Sequence, residues 1–210
     1  MSQLWRFVGF LLATLALVVT VLVLGPKLLG AAGPEAEIVT ALKHEEQRGV
    51  SVRLPFGTLR STELQYQRLS VTLDGSGAVA TVTGTLDFVG FLERPSGTSS
   101  TSVSSLGLER QRWRLQGRTW AAEDGPIPGL AAVVVALEQR REQLAGTVEA
   151  GVTHRVYRAE AWYIRSEREG VTVSEDYRLQ EDRRERPIDE RGTTRFALAP
   201  SLDGGFVVSP

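Results

Sequence analysis

The chain has 210 residues, 42% of them hydrophobic and 23% charged, which excludes collagen-like, coiled-coil and wholly disordered chains. Its 24 Lys+Arg against 25 Asp+Glu leave a net charge of -1, without the basic excess that a nucleic-acid binder uses to release counterions. It has no cysteine and no asparagine, so disulfides, thiolate nucleophiles, cysteine metal sites and N-glycosylation sequons are all absent.

The first element is apolar. From Phe7 to Leu24 there are 18 residues without a charge, 13 of them Leu, Val or Phe. A bilayer core about 30 Å thick needs roughly 20 helical residues. Apolar side chains of this kind favour insertion by about 4–8 kcal/mol in total. Residues 7–26 are therefore expected to form a transmembrane helix, which Gly25-Pro26 ends. Its apolar run is longer than that of a cleavable signal peptide, although Gly30-Ala31-Ala32 offers a small-residue cleavage site. Arg6 and the amino terminus precede the span, so the positive-inside rule puts residues 1–6 in the cytoplasm and residues 27–210 outside it.

Residues 27–33 read as a tether. A helix is expected from Pro34, with Glu35 and Glu37 near its positive end and Gly49 just past its last turn. The period then turns to alternation. Leu69, Val71 and Leu73 lead through Asp74-Gly75-Ser76-Gly77 to Ala80, Val82, Leu86 and Phe88, the pattern of a β-hairpin. Residues 94–105 hold eight Ser or Thr in twelve positions and are expected to be a solvated loop. Trp113 and Leu115 then pair through Gln116-Gly117-Arg118 with Trp120 and Ala122.

Gly125-Pro126-Ile127-Pro128-Gly129 breaks the chain. Helical spacing follows at Leu130, Val133, Val134, Leu137, Leu144 and Val148, with Glu138, Arg140, Arg141 and Glu142 on a polar side, and Gly151 is expected to close the helix. Two long strands turn at Glu167-Arg168-Glu169-Gly170, and residues 181–191, charged at nine of eleven positions, read as a wet loop. A last hairpin joins Phe196 and Leu198 to Phe206 and Val208. Both halves thus repeat helix, long hairpin, polar loop and short hairpin.

The expected fold class is α+β: one or two units, residues 34–125 and 126–210, each packing one helix on a curved antiparallel sheet. The first helix, followed by hairpins that end in Arg112-Trp113-Arg114-Leu115-Gln116-Gly117-Arg118-Thr119-Trp120, resembles the cystatin-like and nuclear-transport-factor-like folds. That resemblance implies architecture and no activity.

No catalytic constellation stands out. His44-Glu45-Glu46-Gln47-Arg48 starts like a zinc-protease helix, but position 48 is Arg where a second His is needed. No phosphate loop, dinucleotide fingerprint or serine-hydrolase elbow occurs, so no cofactor and no metal is implied. His154 shares strand parity with Val152, Val156 and Trp162, and Glu160, Glu175 or Asp176 could pair with it as in a general base. Arg110, Arg112 and Arg114 alternate along one strand face, with Arg118 close by, and Tyr163 points opposite to Trp162. Arginine and tyrosine are enriched at interfaces. The sequence therefore points to a non-catalytic, membrane-anchored protein. Its extracytoplasmic part would bind another envelope protein through Arg110, Arg112, Arg114, Arg118 and Tyr163. The alternative is a tethered small-molecule pocket, isomerase- or dehydratase-like, working through His154.

Overall fold

The computed structural model describes residues 33–95, 100–147, 151–183, 186–201 and 205–208. The expected membrane span, and the tether up to residue 32, lie outside these residues. Among the described residues no helix is long and apolar enough to cross a membrane. The described residues from Val39 onward form one compact unit, which holds all the strands.

The α+β expectation is corrected. The described residues are 63% strand and 21% helix, with two helices and one curled, half-barrel sheet. The helices are α1 (Pro34–Arg48) and α2 (Pro128–Gly146). The strands are β1 (Ser51–Leu54), β2 (Gly57–Leu73), β3 (Val79–Glu93), β4 (Ser100–Gln116), β5 (Thr119–Ala122), β6 (Val152–Glu167), β7 (Gly170–Arg183), β8 (Ile188–Pro200) and β9 (Phe206–Val208). They run in the order β1-β2-β3-β4-β6-β7-β8-β9, with β5 paired to β4.

Two misread stretches and one unforeseen strand pairing explain the difference. The Ser/Thr-rich stretch 94–105 is β-strand from Ser100 onward, because its residues alternate: Thr101, Val103 and Ser105 are buried while Ser102 is exposed. Its β-branched and small hydroxyl side chains suit a half-buried pleat. The charged stretch 181–191 is largely strand too, since its charges pair across and along strands. Arg178 binds Asp189 in a two-pronged contact at 2.8 and 2.6 Å, and Arg183 donates to Glu181 at 2.7 Å. Finally, β4 and β6 pair in parallel from Ser102↔Ala161 to Gly107↔Ser166, so one sheet continues through both halves of the chain. Gly107 lies at the end of this ladder. A Cβ there would lie 2.2 Å from the Ser166 carbonyl oxygen, so only glycine lets the two backbones meet.

Helix α2 packs on the inner face of the curled sheet, against β4, β6 and β9. Its N-terminal half is apolar there: Leu130, Val133, Val134 and Leu137 are buried. They meet a core that includes Leu86, Phe88, Val103, Trp113, Trp162 and Val173. Its C-terminal half is polar, and there only Glu138 is buried while Arg140 and Arg141 are half-buried. Glu138, 1% exposed, takes Nε and Nη2 of Arg94, each at 2.7 Å, and Nε of Arg141 at 2.7 Å. Arg94 also donates to Thr101 Oγ1 at 2.9 Å, and that hydroxyl donates to the Ala159 carbonyl at 2.7 Å. One turn of α2 is thereby tied to the end of β3, to β4 and to β6. Burial alone would raise the Glu138 pKa, but the two guanidiniums outweigh it and hold the carboxyl below its usual range.

Removing Glu138 leaves two guanidiniums facing a dry interface without their counter-charge. Glu138→Ala is expected to cost about 3–5 kcal/mol, the cost of breaking a buried ion pair. Urea unfolding of the full chain in detergent measures it. A Glu138→Ala chain as stable as the parent shows that the cluster contributes nothing.

Candidate functional site

Strand β4 decides which side chains reach solvent in the middle of the sheet. Along it Glu109, Gln111 and Trp113 are buried, while Leu108, Arg110, Arg112 and Arg114 are exposed on the outer face. The same face carries Leu106 at 44% and Leu108 at 48% exposure, and Tyr163 of β6 at 51%. Ser104 lies opposite Tyr163 and Leu106 opposite Arg165 in the parallel ladder. From Leu106 to Arg114 this stripe runs eight residues, about 27 Å at a strand's rise per residue. Its apolar end is an open groove of about 260 Å³ lined by Asp87, Val89, Ser104, Leu106, Tyr163 and Arg165. Its polar end is a second open groove, about 480 Å³, lined by Asp74, Thr81, Arg110, Arg112 and Asp124.

The arginines differ in their surroundings. Arg112 and Arg114 converge on one carboxylate, Glu123 at the end of the β4–β5 hairpin; the Arg112 contact is 2.8 Å. Arg110 makes no ion pair among the described residues, and Asp74 and Asp124 line the groove beside it. Arg118 sits exposed in the β4–β5 turn. Asp74 is occupied within its own turn. Its carboxylate accepts the Ser76 hydroxyl at 2.7 Å and the Val79 N–H at 3.2 Å, which hold its pKa down. Arg110, Arg112 and Arg114 thus share a face with Tyr163, at opposite ends of the stripe. The exposed Leu106 and Leu108 between them were not singled out from the sequence, though their parity with Arg110 carried the signal.

His154 stands apart from this stripe. It is exposed on β6 opposite Asp182. The parity argument that grouped it with Trp162 fails at two β-bulges, one between Val152 and His154 and one between Ala159 and Ala161. Each bulge inserts a residue and flips the faces beyond it. The buried set is consequently Val152, Tyr157, Ala159, Trp162 and Ile164, and Val156 is only half-buried. Of the acids named beside His154, Glu160 is exposed and Asp176 accepts from Thr193 Oγ1 at 2.6 Å. Glu175, fully buried, accepts Trp162 Nε1 at 2.7 Å, Arg140 Nη1 at 2.8 Å and the Tyr157 hydroxyl. Desolvation by burial, with the Glu175 hydrogen bond second, drives the Tyr157 pKa upward. Arg140 continues over the Phe196 ring, 4.0 Å from its centroid.

The inner side of β4 carries the carboxylate with the most displaced titration. Ile127, at the cap position of α2, offers no side-chain acceptor. Glu109 supplies one from β4, accepting the Gly129 and Leu130 N–H groups at 2.8 and 3.1 Å. A carboxylate suits a helix N-terminus, yet burial dominates and pushes the Glu109 pKa up to about 7. On the next strands, Tyr66 links its hydroxyl to Glu45 of α1 and to Gln111 of β4, at 3.1 Å each. Glu46 accepts the Tyr66 N–H at 2.6 Å. The residues that resembled a zinc motif therefore fasten α1 to β2. No cluster of His, Cys, Asp and Glu among the described residues could hold a metal ion.

Searches of protein-family models, of curated proteins and of solved structures find no match to this chain.

The Glu109 shift sets a pH dependence. Between pH 4.5 and 7 the folded chain keeps a proton on Glu109 that the unfolded chain releases, so the Glu109 contribution to stability is full below 4.5 and is lost as pH rises to 7. The expected loss is about 3 kcal/mol. Thermal unfolding of the parent and of Glu109→Gln at pH 4.5 and pH 8 checks it. The parent should lose more stability across that range than the variant, and parallel curves would contradict the assignment.

Proposed function

We propose that residues 7–26 anchor the chain in a bilayer and that the mostly β region beyond them binds another envelope protein. It acts by recognition and not by catalysis. The observation that carries this reading is the outer stripe of β4 and β6. Three large side chains, Leu106, Leu108 and Tyr163, are each close to half exposed on one face, with Leu106 and Tyr163 lining one groove, and Arg110, Arg112 and Arg114 continue the row along β4. Apolar and aromatic anchors bordered by arginine are the composition of a contact surface, where a few such residues supply most of the affinity. The inner face offers less for a ligand: α2 covers it, and Glu109, Glu138 and Glu175 are each held by partners from neighbouring elements. The anchor is supported by the 18 uncharged residues from Phe7 to Leu24.

Photocrosslinking in cells tests the reading. Benzoylphenylalanine at Leu106, Leu108 or Tyr163 should give one discrete adduct of common mass, and at exposed Arg158 of β6 none. Arg110→Glu should weaken the adduct at least tenfold. No adduct from the stripe, or the same adduct from Arg158, overturns the assignment. An alkaline carbonate wash should leave the full chain with the membranes, and its release would remove the anchor.

A further inference from the structure

The sheet's long edges are treated differently. On one side, β1 pairs only with Gly57–Arg60 of β2 and leaves the rest of β2 without a strand neighbour. That edge is blunted. Two bulges, Ser61/Glu63 and Gln67/Ser70, break its regularity. The Ser61 N–H is taken by the Val50 carbonyl and the Tyr66 N–H by Glu46. On the other side, β9 pairs only with Leu198, Ala199 and Pro200 of β8. From Ile188 to Ala197, β8 has β7 on one side and no strand on the other among the described residues. Its register with β7 runs from Ile188 to Leu198 without a bulge, and its one proline is Pro200 at the end. Every second residue of such an edge turns an N–H and a C=O outward, the template for a further strand.

The side chains of β8 select the strand that fits. Asp189, Arg191, Thr193 and Arg195 are exposed on one face, and Ile188, Gly192, Thr194 and Phe196 are half-buried on the other. If a second β8 pairs antiparallel about a two-fold axis, faces match only when the axis passes through a residue. Centred on Gly192, Asp189 meets Arg195 and Ile188 meets Phe196, each twice, while Arg191 meets Thr193. Centred on Arg191 or on Thr193, arginines face each other. Centred on Glu190, two glutamates do. Opposite charges across a ladder stabilise it and like charges oppose it. Arg195 makes no ion pair among the described residues; both Asp189 oxygens accept from Arg178, and their remaining lone pairs can take a second guanidinium. Gly192 stays small for an independent reason: a Cβ there would come within 2.8 Å of the Tyr177 hydroxyl.

We propose that β8 is a self-recognition edge, through which two copies of this chain join their sheets antiparallel about a two-fold axis at Gly192. The inference concerns a surface distinct from the β4–β6 stripe and stands or falls independently of it. The contact is isologous, so it closes at two copies and leaves no open edge there to propagate.

The absence of native cysteine makes the register directly testable. In Arg191→Cys/Thr193→Cys, residues 191 and 193 of facing copies are cross-strand neighbours within disulfide range, whereas within one strand they are too far apart to bridge. Mild oxidation of the full chain in phosphatidylcholine vesicles should convert most of this variant to a covalent dimer. Thr193→Cys alone, whose sulfurs lie on a diagonal, should be trapped at least tenfold less. Adding Arg195→Glu to the double-cysteine chain should lower trapping at least tenfold, and Arg195→Lys should preserve it. No dimer from the double variant, equal trapping of Thr193→Cys alone, or indifference to Arg195→Glu overturns the proposal.

Discussion

The structure depends on the match between carboxylates buried on the inner face of one curled sheet and the groups that α2 brings to them. Glu175 comes from β7 and meets Arg140; Glu109 comes from β4 and meets the first turn of α2; Glu138 comes from α2 itself and meets Arg94 at the end of β3. Each carboxylate is buried, so each needs partners held in place. Apolar packing by Leu130, Val133, Val134 and Leu137 draws the helix onto the sheet, but such contacts tolerate sliding. The directional bonds do not. They set the depth and register of α2 against strands from both halves of the chain.

With α2 lying on the inner face against β4, β6 and β9, the exposed side chains of β4 lie on the outer face. The alternation of β4 separates the two roles residue by residue: Glu109, Gln111 and Trp113 serve the core, and Leu108, Arg110 and Arg112 serve the surface. The edges follow the same economy of position. On β2, bulges and side chains of α1 occupy the outward groups. On β8 the ladder stays regular, and its charges discriminate between registers.

Much of this was legible from local chemistry. The turn at Asp74–Gly77, the helix ending at Arg48 and the exposed alternation of Arg110, Arg112 and Arg114 follow from residue type and spacing. What escaped was the strand character of 100–105 and of the charged stretch around 181–191. Hydroxyl and charged side chains look like loop when read singly; they become strand when each has a cross-strand partner, as Asp189 has in Arg178. The faces of β6 escaped because a bulge adds one residue that no periodicity announces. It turned His154 outward and Tyr157 inward.

The sequence by itself determined the helices' apolar stripes, the glycine turns and the outward row of arginines, because each is decided by neighbours within a few residues. Only the tertiary structure decided that the two halves share a single sheet, since the parallel joining of β4 to β6 brings together residues 59 positions apart, Ser102 and Ala161 among them. The choice between two small sheets and one large one rests on long-range pairing energy. The bare alternation of apolar and polar residues is the same in both.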